Sequence, residues 1–364
     1  MIILSDYNKL IYYKHNDKQP TSTDRRRKCG PAVPVGHRRG GMLLMAMYLL
    51  KRIGQTIIVL LIVCVATFFM VDLVPGDPVY TVAGTSDLDQ AEYDAIYNQL
   101  HLDKSTGERF LIWMRDALHG DFGTSYSYSM PVIEVIRQRI PFTLFFSILT
   151  MLISVPIGVV LGIVSAVKRK TWIDTIITLV ANTLNCLPQF FIAIVLMYFF
   201  CIKQQLLPAM GFNWPWIVGA KKFFQTLFMP IICLSLGGIA GFTRQTRSSM
   251  LEVIRQDFIR TARSKGLTER KVYFKHMLRN GLIPIITILG SRLAYIMGGS
   301  MFVETVFSIP GMGSLAMKCV QSKDIPTIQA VVVITTVVSC IAYIITDILY
   351  VVVDPRISLT ESKE

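Results

Sequence analysis

Within long apolar stretches stand a few groups that hydrocarbon does not solvate: Asp174, Arg292 and Asp347, and the amides Asn182, Asn185 and Gln189 around Pro188. Such groups are costly inside a membrane and mark either pathways or internal pairs. Two chemistries are open to them. Arg292 can line a polar pathway and meet a carboxylate, or it can form an interior ion pair, for example with Asp347. The amides can face a passing solute, since Pro188 loosens the helix ladder beside them, or they can join neighbouring helices by hydrogen bonds. Bond-breaking chemistry has no comparable set. The chain contains no GxxxxGK[ST] loop, no HExxH and no GxSxG. Its histidines (His15, His37, His101, His119, His276) are scattered, and its seven cysteines form no CxxC pair. The expectation is a protein with no catalytic residue, no metal site, no cofactor and no disulfide framework.

The elements that hold these groups follow from composition. An apolar share of 52% with only 17% charged residues, and a mean hydropathy of +0.49, exclude an ordinary soluble domain. A spanning helix needs about 20 mainly apolar residues. Six segments qualify, at roughly 53–74, 142–167, 173–202, 223–243, 282–303 and 329–353. The predicted fold is therefore an all-α integral membrane protein with six transmembrane helices and both termini on one side. Lys51 and Arg52 before the first span, Lys168 to Lys170 after the second and the basic loop after the fourth put that side in the cytoplasm by the positive-inside rule. Residues 75–140, with ten acids against five bases, then lie outside. Lys203, Lys221 and Lys222 fall on the outer side against this rule; Trp214 and Trp216 beside them suit a membrane interface. Asp72 and Glu304 sit near outer span ends and are expected to cap structure.

The formal charge of +13 is concentrated in two places, residues 1–44 with nine bases and three acids and residues 244–280 with ten bases and three acids. That distribution argues against nucleic acid as the partner and for a membrane surface or a protein. Residues 1–46 read as a disordered basic extension; a start at Met45 or Met47 is an even alternative. Residues 47–141 form the first span with a large external region. Residues 142–353 form a five-helix core that includes the cytoplasmic loop 244–280, and 354–364 is a tail.

The loop is patterned as structure. Leu251, Ile254, Phe258 and Ala262 follow helical spacing on one face while Arg255, Arg260 and Arg263 project elsewhere. Gly266 supplies a left-handed residue that closes this helix, and Thr268 is placed to cap a second one from Glu269. Two phased helices at a glycine bend suit docking into a partner protein's groove. A basic loop lying on anionic headgroups is the competing reading.

The residues Arg260-Thr261-Ala262, three more, Gly266, nine more and His276-Met277-Leu278-Arg279 have the spacing of the EAAxxxG and IxLP pattern. This stretch resembles the cytoplasmic loop of permease subunits of binding-protein-dependent ABC importers, in particular the dipeptide, oligopeptide and nickel branch. Arg260, His276 and Arg279 replace the usual glutamate, isoleucine and proline. Four further stretches resemble the same family: Leu73–Pro78, His119–Ser125, Val303–Gly313 and Asp354–Ile357, so that the resemblance covers about residues 45–357.

The resemblance implies a type I ABC importer permease in the cytoplasmic membrane of a prokaryote. Its expected partners are a second homologous permease subunit, two ABC ATPase subunits, an extracytoplasmic solute-binding protein and membrane lipid. It implies that Arg260, Thr261, Ala262, Arg263, Gly266 and Leu267 couple to an ATPase. Ala262 and Leu267 would fit its cleft and the two arginines would meet its acids, or else remain solvated. Arg292, Asn182, Asn185 and Gln189 are the candidate pathway residues. Pro75, Gly76, Asp77, Pro78, Glu304, Pro310 and Gly311 are candidates for an external gate or docking face, with Pro310 to Gly313 re-entering as a loop. Peptide is the leading solute, with nickel chelates or glutathione as alternatives. An ion-gradient transporter is the rival from another class, but no inverted repeat supports it.

Overall fold

The computed structural model describes residues 38–72, 76–83, 87–277, 281, 289–290, 292 and 301–353. The chain divides into two compact units, Met1–Leu43 and Leu44–Glu364. Of the first, only residues 38–43 are described, and they are helical. Residues 1–37 of the basic extension, the tail 354–364 and nearly all of the span expected at 282–303 lie outside the described residues.

The regular elements among the described residues are helices, with one isolated bridge between Thr124 and Pro131. In chain order the helices are α1 Arg38–Asp72, α2 Pro78–Ala83, α3 Gln90–Gln99, α4 Thr106–Leu118, α5 Val132–Val167, α6 Trp172–Cys186, α7 Gln189–Met197, α8 Pro215–Val218, α9 Ala220–Ile254, α10 Asp257–Ser264, α11 Glu269–Lys271, α12 Met301–Val306, α13 Met312–Gln321 and α14 Ile325–Val353. The wider π-type turns Tyr198–Lys203 and Val272–Met277 continue α7 and α11. Segments Leu50–Met70 of α1, Ile325–Ile348 of α14 and the whole of α5 and α9 are each long and apolar enough to cross a membrane. Residues Trp172–Lys203 qualify only as a broken pair, bent by 98° between Cys186 and Gln189. Pro188 causes the break, because its ring cannot donate to the ladder and biases the residue before it away from helix.

Apolar windows locate the bilayer interior but not the helix ends. Helix α5 begins ten residues ahead of the segment expected at 142, because Val132, Val135 and Ile136 pack against Met312 and Leu315 of α13 and Ala330 of α14. Helix α9 runs eleven residues past 243, so the first part of the basic loop is a continuation of the span. Met312 and Gly313, expected within a re-entrant loop, instead begin a helix. In the acidic region, Asp89 with Glu92 and Ser105 with Glu108 form capping boxes that start α3 and α4.

Among the described residues, α5 and α9 share the most extensive helix–helix seam. Small residues permit it: a Cβ on Gly158 would stand 2.5 Å from Phe242 Cβ, one on Gly162 would stand 2.5 Å from Thr246 Cβ and one on Gly238 would stand 2.5 Å from Ser154 Oγ. Backbones approach this closely in membranes where a small-xxx-small stripe removes the side chains between them. Helix α5 also joins all three apolar clusters. One lies about Phe146, Phe212 and Phe223, one about Ile136 and Met312, and one at the end near Lys168 about Ala166, Met250 and Ile259.

Candidate functional site

The loop after α9 forms the expected elbow. Helix α9 stops at Ile254, Arg255 and Gln256 turn the chain, and α10 runs from Asp257 to Ser264. Gly266 has φ +72°, and a Cβ added to it would meet nothing within 4 Å, so its glycine is required by backbone conformation and not by crowding. Thr268 occupies the N-cap position of α11, but its hydroxyl makes no capping bond. Beneath the bend, Ile259, Ala262, Val272 and Met277 are buried with Ala166 of α5 and Phe242 and Met250 of α9. Arg260, Thr261, Ser264 and Lys265 form the exposed surface, and Leu267 is half-buried.

Two expectations about this elbow are corrected. The buried face carries Ile259 with Ala262, while Phe258 is 41% exposed, because the break at 255–256 shifts the helical phase by one residue. Ala262 is only 5% exposed and packs inside the chain, so it cannot enter a partner's cleft. Arg263 is also engaged internally: its Nε and Nη2 donate to Glu269 Oε1 and Oε2 at 3.0 and 3.3 Å, a clasp across Gly266. The Tyr273 hydroxyl, and after it the Arg263 guanidinium, hold the Glu269 carboxyl below the usual carboxylate range. A depressed pKa stabilises the fold above the unfolded value and is lost as pH falls through the folded one. The clasp is therefore complete at neutral pH and opens only in acid. Glu269→Gln should leave the unfolding midpoint of the purified chain nearly unchanged, since both partners are about half-exposed. A large drop, seen by thermal size-exclusion chromatography, would contradict this account.

At the same end of the bundle, Asp174 of α6 is buried under four kinds of donor. Arg247 of α9 contacts both oxygens at 2.7 and 3.0 Å, Ser165 Oγ donates at 2.6 Å, the Lys170 amide at 3.1 Å and Thr178 Oγ1 at 3.3 Å. This set ties α5, α6 and α9 together. The sequence marks Asp174 as an intramembrane acid but does not identify Arg247, 73 positions away, as its partner. Asp347 of α14 meets Arg52 of α1 at 3.2 Å, which corrects the expected pairing with Arg292.

Three of the four candidate pathway residues border one stripe of α9. Gln189 lies against Gly237, where a Cβ would be 3.1 Å from its Nε2, and Arg292 lies against Gly241, where a Cβ would be 2.9 Å from its Nη2. Asn182 shares a cleft of about 340 Å³ with Thr178 and Ala181 of α6, with Thr243, Arg244, Arg247, Ser248, Leu251 and Glu252 of α9, and with Arg255 just beyond that helix. Gly237, Gly241, Arg244, Ser248, Leu251 and Arg255 recur every three or four residues and so form a single face. Asn185 donates to the Ala181 carbonyl at 3.0 Å within its own helix.

At the opposite end, Glu304 is buried and accepts from Thr143 Oγ1 and the Ser314 amide, both at 3.0 Å. Thr143 Oγ1 in turn accepts from the Met312 amide at 2.8 Å. A Cβ on Gly311 would lie 2.4 Å from the Glu304 carboxyl, so the glycine after Pro310 makes room for the acid. Asp77 accepts from the Val79 amide and the Tyr93 hydroxyl between Gly76 and Pro78. Pro75 lies outside the described residues. The sequence offered no signal for a second buried acid here, Asp324, which accepts from Ser125 Oγ and the Ser127 amide and so joins the turn before α5 to the start of α14.

Residues 158–359 match the family described as binding-protein-dependent transport system inner membrane component, and residues 45–147 match its N-terminal counterpart. A probable peptide ABC transporter permease protein, y4tP, of Sinorhizobium fredii is 35% identical over 313 residues, 86% of this chain and 99% of that protein. The oligopeptide transport system permease protein AppB of Bacillus subtilis is 34% identical over 317 residues, with the same coverage. A solved structure of the inward-facing MetNI methionine ABC transporter covers 61% of this chain and 97% of its own at 15% identity, with a TM-score of 0.49. The first of these matches covers more than half of the chain, and the chain belongs to the binding-protein-dependent transport system inner membrane components.

Proposed function

We propose that this chain is the permease subunit of an ATP-driven importer that carries short peptides across the inner membrane. It works with a second, homologous permease chain, two ATPase subunits and an external solute-binding protein. The chain itself does not hydrolyse ATP. The peptide reading is supported by the named functions of relatives at 34–35% identity over 86% of the chain.

The observation that carries the mechanism is the elbow, exposed on its upper surface and embedded below in the cluster that includes Ala166, Phe242 and Met250. Arg260, Thr261 and Leu267 meet the ATPase, while Ala262 and the Arg263–Glu269 clasp hold the bend in shape. Closure of the ATPase pair pushes the elbow as a rigid body and turns α5 and α9 with it, which switches the side on which the bundle opens. Gln189, Asn182 and Arg292 line the solute's route along α9. The Glu304 knot and the Asp77 turn shape the external gate.

Gly266→Val tests this reading. Valine at φ +72° costs of order 1–3 kcal/mol locally. Because that cost falls on the elbow alone, the assembled importer should insert normally but lose most of the ATPase stimulation produced by loaded binding protein. Full stimulation in the variant would refute the elbow as the coupling element.

A further inference from the structure

The cleft between α6 and α9 contains more polar chemistry than helix packing needs. Arg247 is satisfied by Asp174, and no ion pair is formed among the described residues by Arg244, Glu252 or Arg255. Thr243 also lines the cleft; its hydroxyl is buried and has no hydrogen-bond partner among the described residues. Ser248 and Asn182 add neutral donors. With Arg247 cancelled by Asp174, the two remaining arginines against one glutamate leave a net charge of +1. A buried, unpartnered hydroxyl inside a cleft carrying both signs of charge suits a ligand that is itself charged at both ends.

We propose that this cleft is a binding station for short peptides with free termini, in which Arg244 takes the C-terminal carboxylate and Glu252 the N-terminal ammonium. This rests on the peptide-import reading and adds to it what the membrane subunit recognises: terminal charge, not side chains. Spacing supports the assignment. Arg244 and Glu252 are eight residues apart on one helix, about 12 Å of rise. An extended chain covers roughly 3.3–3.6 Å per residue, so three or four residues bridge the two. Arginine presents a planar fork that fits a carboxylate through two hydrogen bonds. Asn182 and Ser248 stand beside it as further donors. Arg255, one turn beyond Glu252, closes the rim and biases the cleft toward the anionic end. Helix α9 carries the Gln189 and Arg292 contacts on the same stripe, so the station continues the proposed route.

The test uses the full chain in phosphatidylcholine nanodiscs with trialanine, trialanine amide and N-acetyl-trialanine, followed by equilibrium dialysis. Trialanine should bind saturably, and each blocked peptide roughly tenfold more weakly, the loss expected for one charge-assisted contact. Arg244→Gln should bind the acid and the amide equally while still discriminating against N-acetylation. Glu252→Gln should show the reverse. Both positions are exposed, so neither change threatens the fold. No saturable trialanine binding, equal binding of all three peptides by the unaltered chain, or discrimination unchanged in both variants would each overturn the station. Trialanine uptake by the assembled importer is measured in parallel. Uptake without discrimination at the cleft sinks the station alone, and discrimination without uptake sinks the import reading alone.

Discussion

Arg247→Ala should destabilise the chain by about 3–5 kcal/mol, the range for removing one partner of a buried ion pair. The cost comes from what remains. Asp174 has a side chain 8% exposed and would keep its carboxylate facing Ser165 and Thr178 with no countercharge. Arg247 itself is 28% exposed, so water entering its vacated place puts the expectation at the lower end of that range. Removing both charges together separates the pair from its packing. Asp174→Asn with Arg247→Met leaves no orphaned ion, and most of the lost thermal stability should return. The readout is the unfolding midpoint in detergent; a single variant as stable as the parent would show that the pair holds nothing.

Gly162→Leu is expected to have an effect of similar size for a different reason. Even a methyl group there would stand 2.5 Å from Thr246 Cβ and 2.8 Å from the Thr243 carbonyl oxygen. The second contact is with backbone, which no rotamer change relieves, so α5 and α9 must separate. Overpacking costs typically about 1–3 kcal/mol and more where helices are forced apart. Since the elbow is seated on both helices, the variant should lose substrate-stimulated ATPase activity together with monodispersity. Gly120→Leu provides the contrast in packing: nothing lies within 4 Å of its Cβ position, so its cost is confined to the strain of φ +84°. Equal monodispersity of the Gly162 variant and the parent would exclude a tight α5–α9 seam.

Much of this architecture was legible in the sequence, and the misses share physical causes. Four of the six expected spans fall on helices long enough to cross, because an apolar run of that length has no other stable home. The third is there too, but broken where Pro188 already announced trouble. Helix ends were misplaced wherever tertiary contact, not hydropathy, sets the boundary. Val132 to Ile136 join α5 because α13 and α14 cover them, and nothing local reveals that. The bend at Gly266 was readable because a glycine between two phased segments has few other uses. The phase of α10 was not, since it assumed a helix unbroken through Arg255. Ion-pair partners were the least accessible: Asp347 meets Arg52 and Asp174 meets Arg247, pairings across 295 and 73 positions that only the packed bundle brings together.

Helix α5 has 36 residues, a rod of roughly 54 Å against a hydrocarbon layer of about 30 Å. It therefore stands proud of the bilayer, with Ala166 rooted beneath the elbow and Thr143 and Val132 fastened near Glu304 and Met312. One continuous helix, with Pro141 and Pro156 inside it as points where it can bend, carries fixtures at both ends. On the proposed reading, tilting its foot beside the elbow would swing its far tip, so nucleotide state on one side and receptor docking on the other would be geared through the same mast.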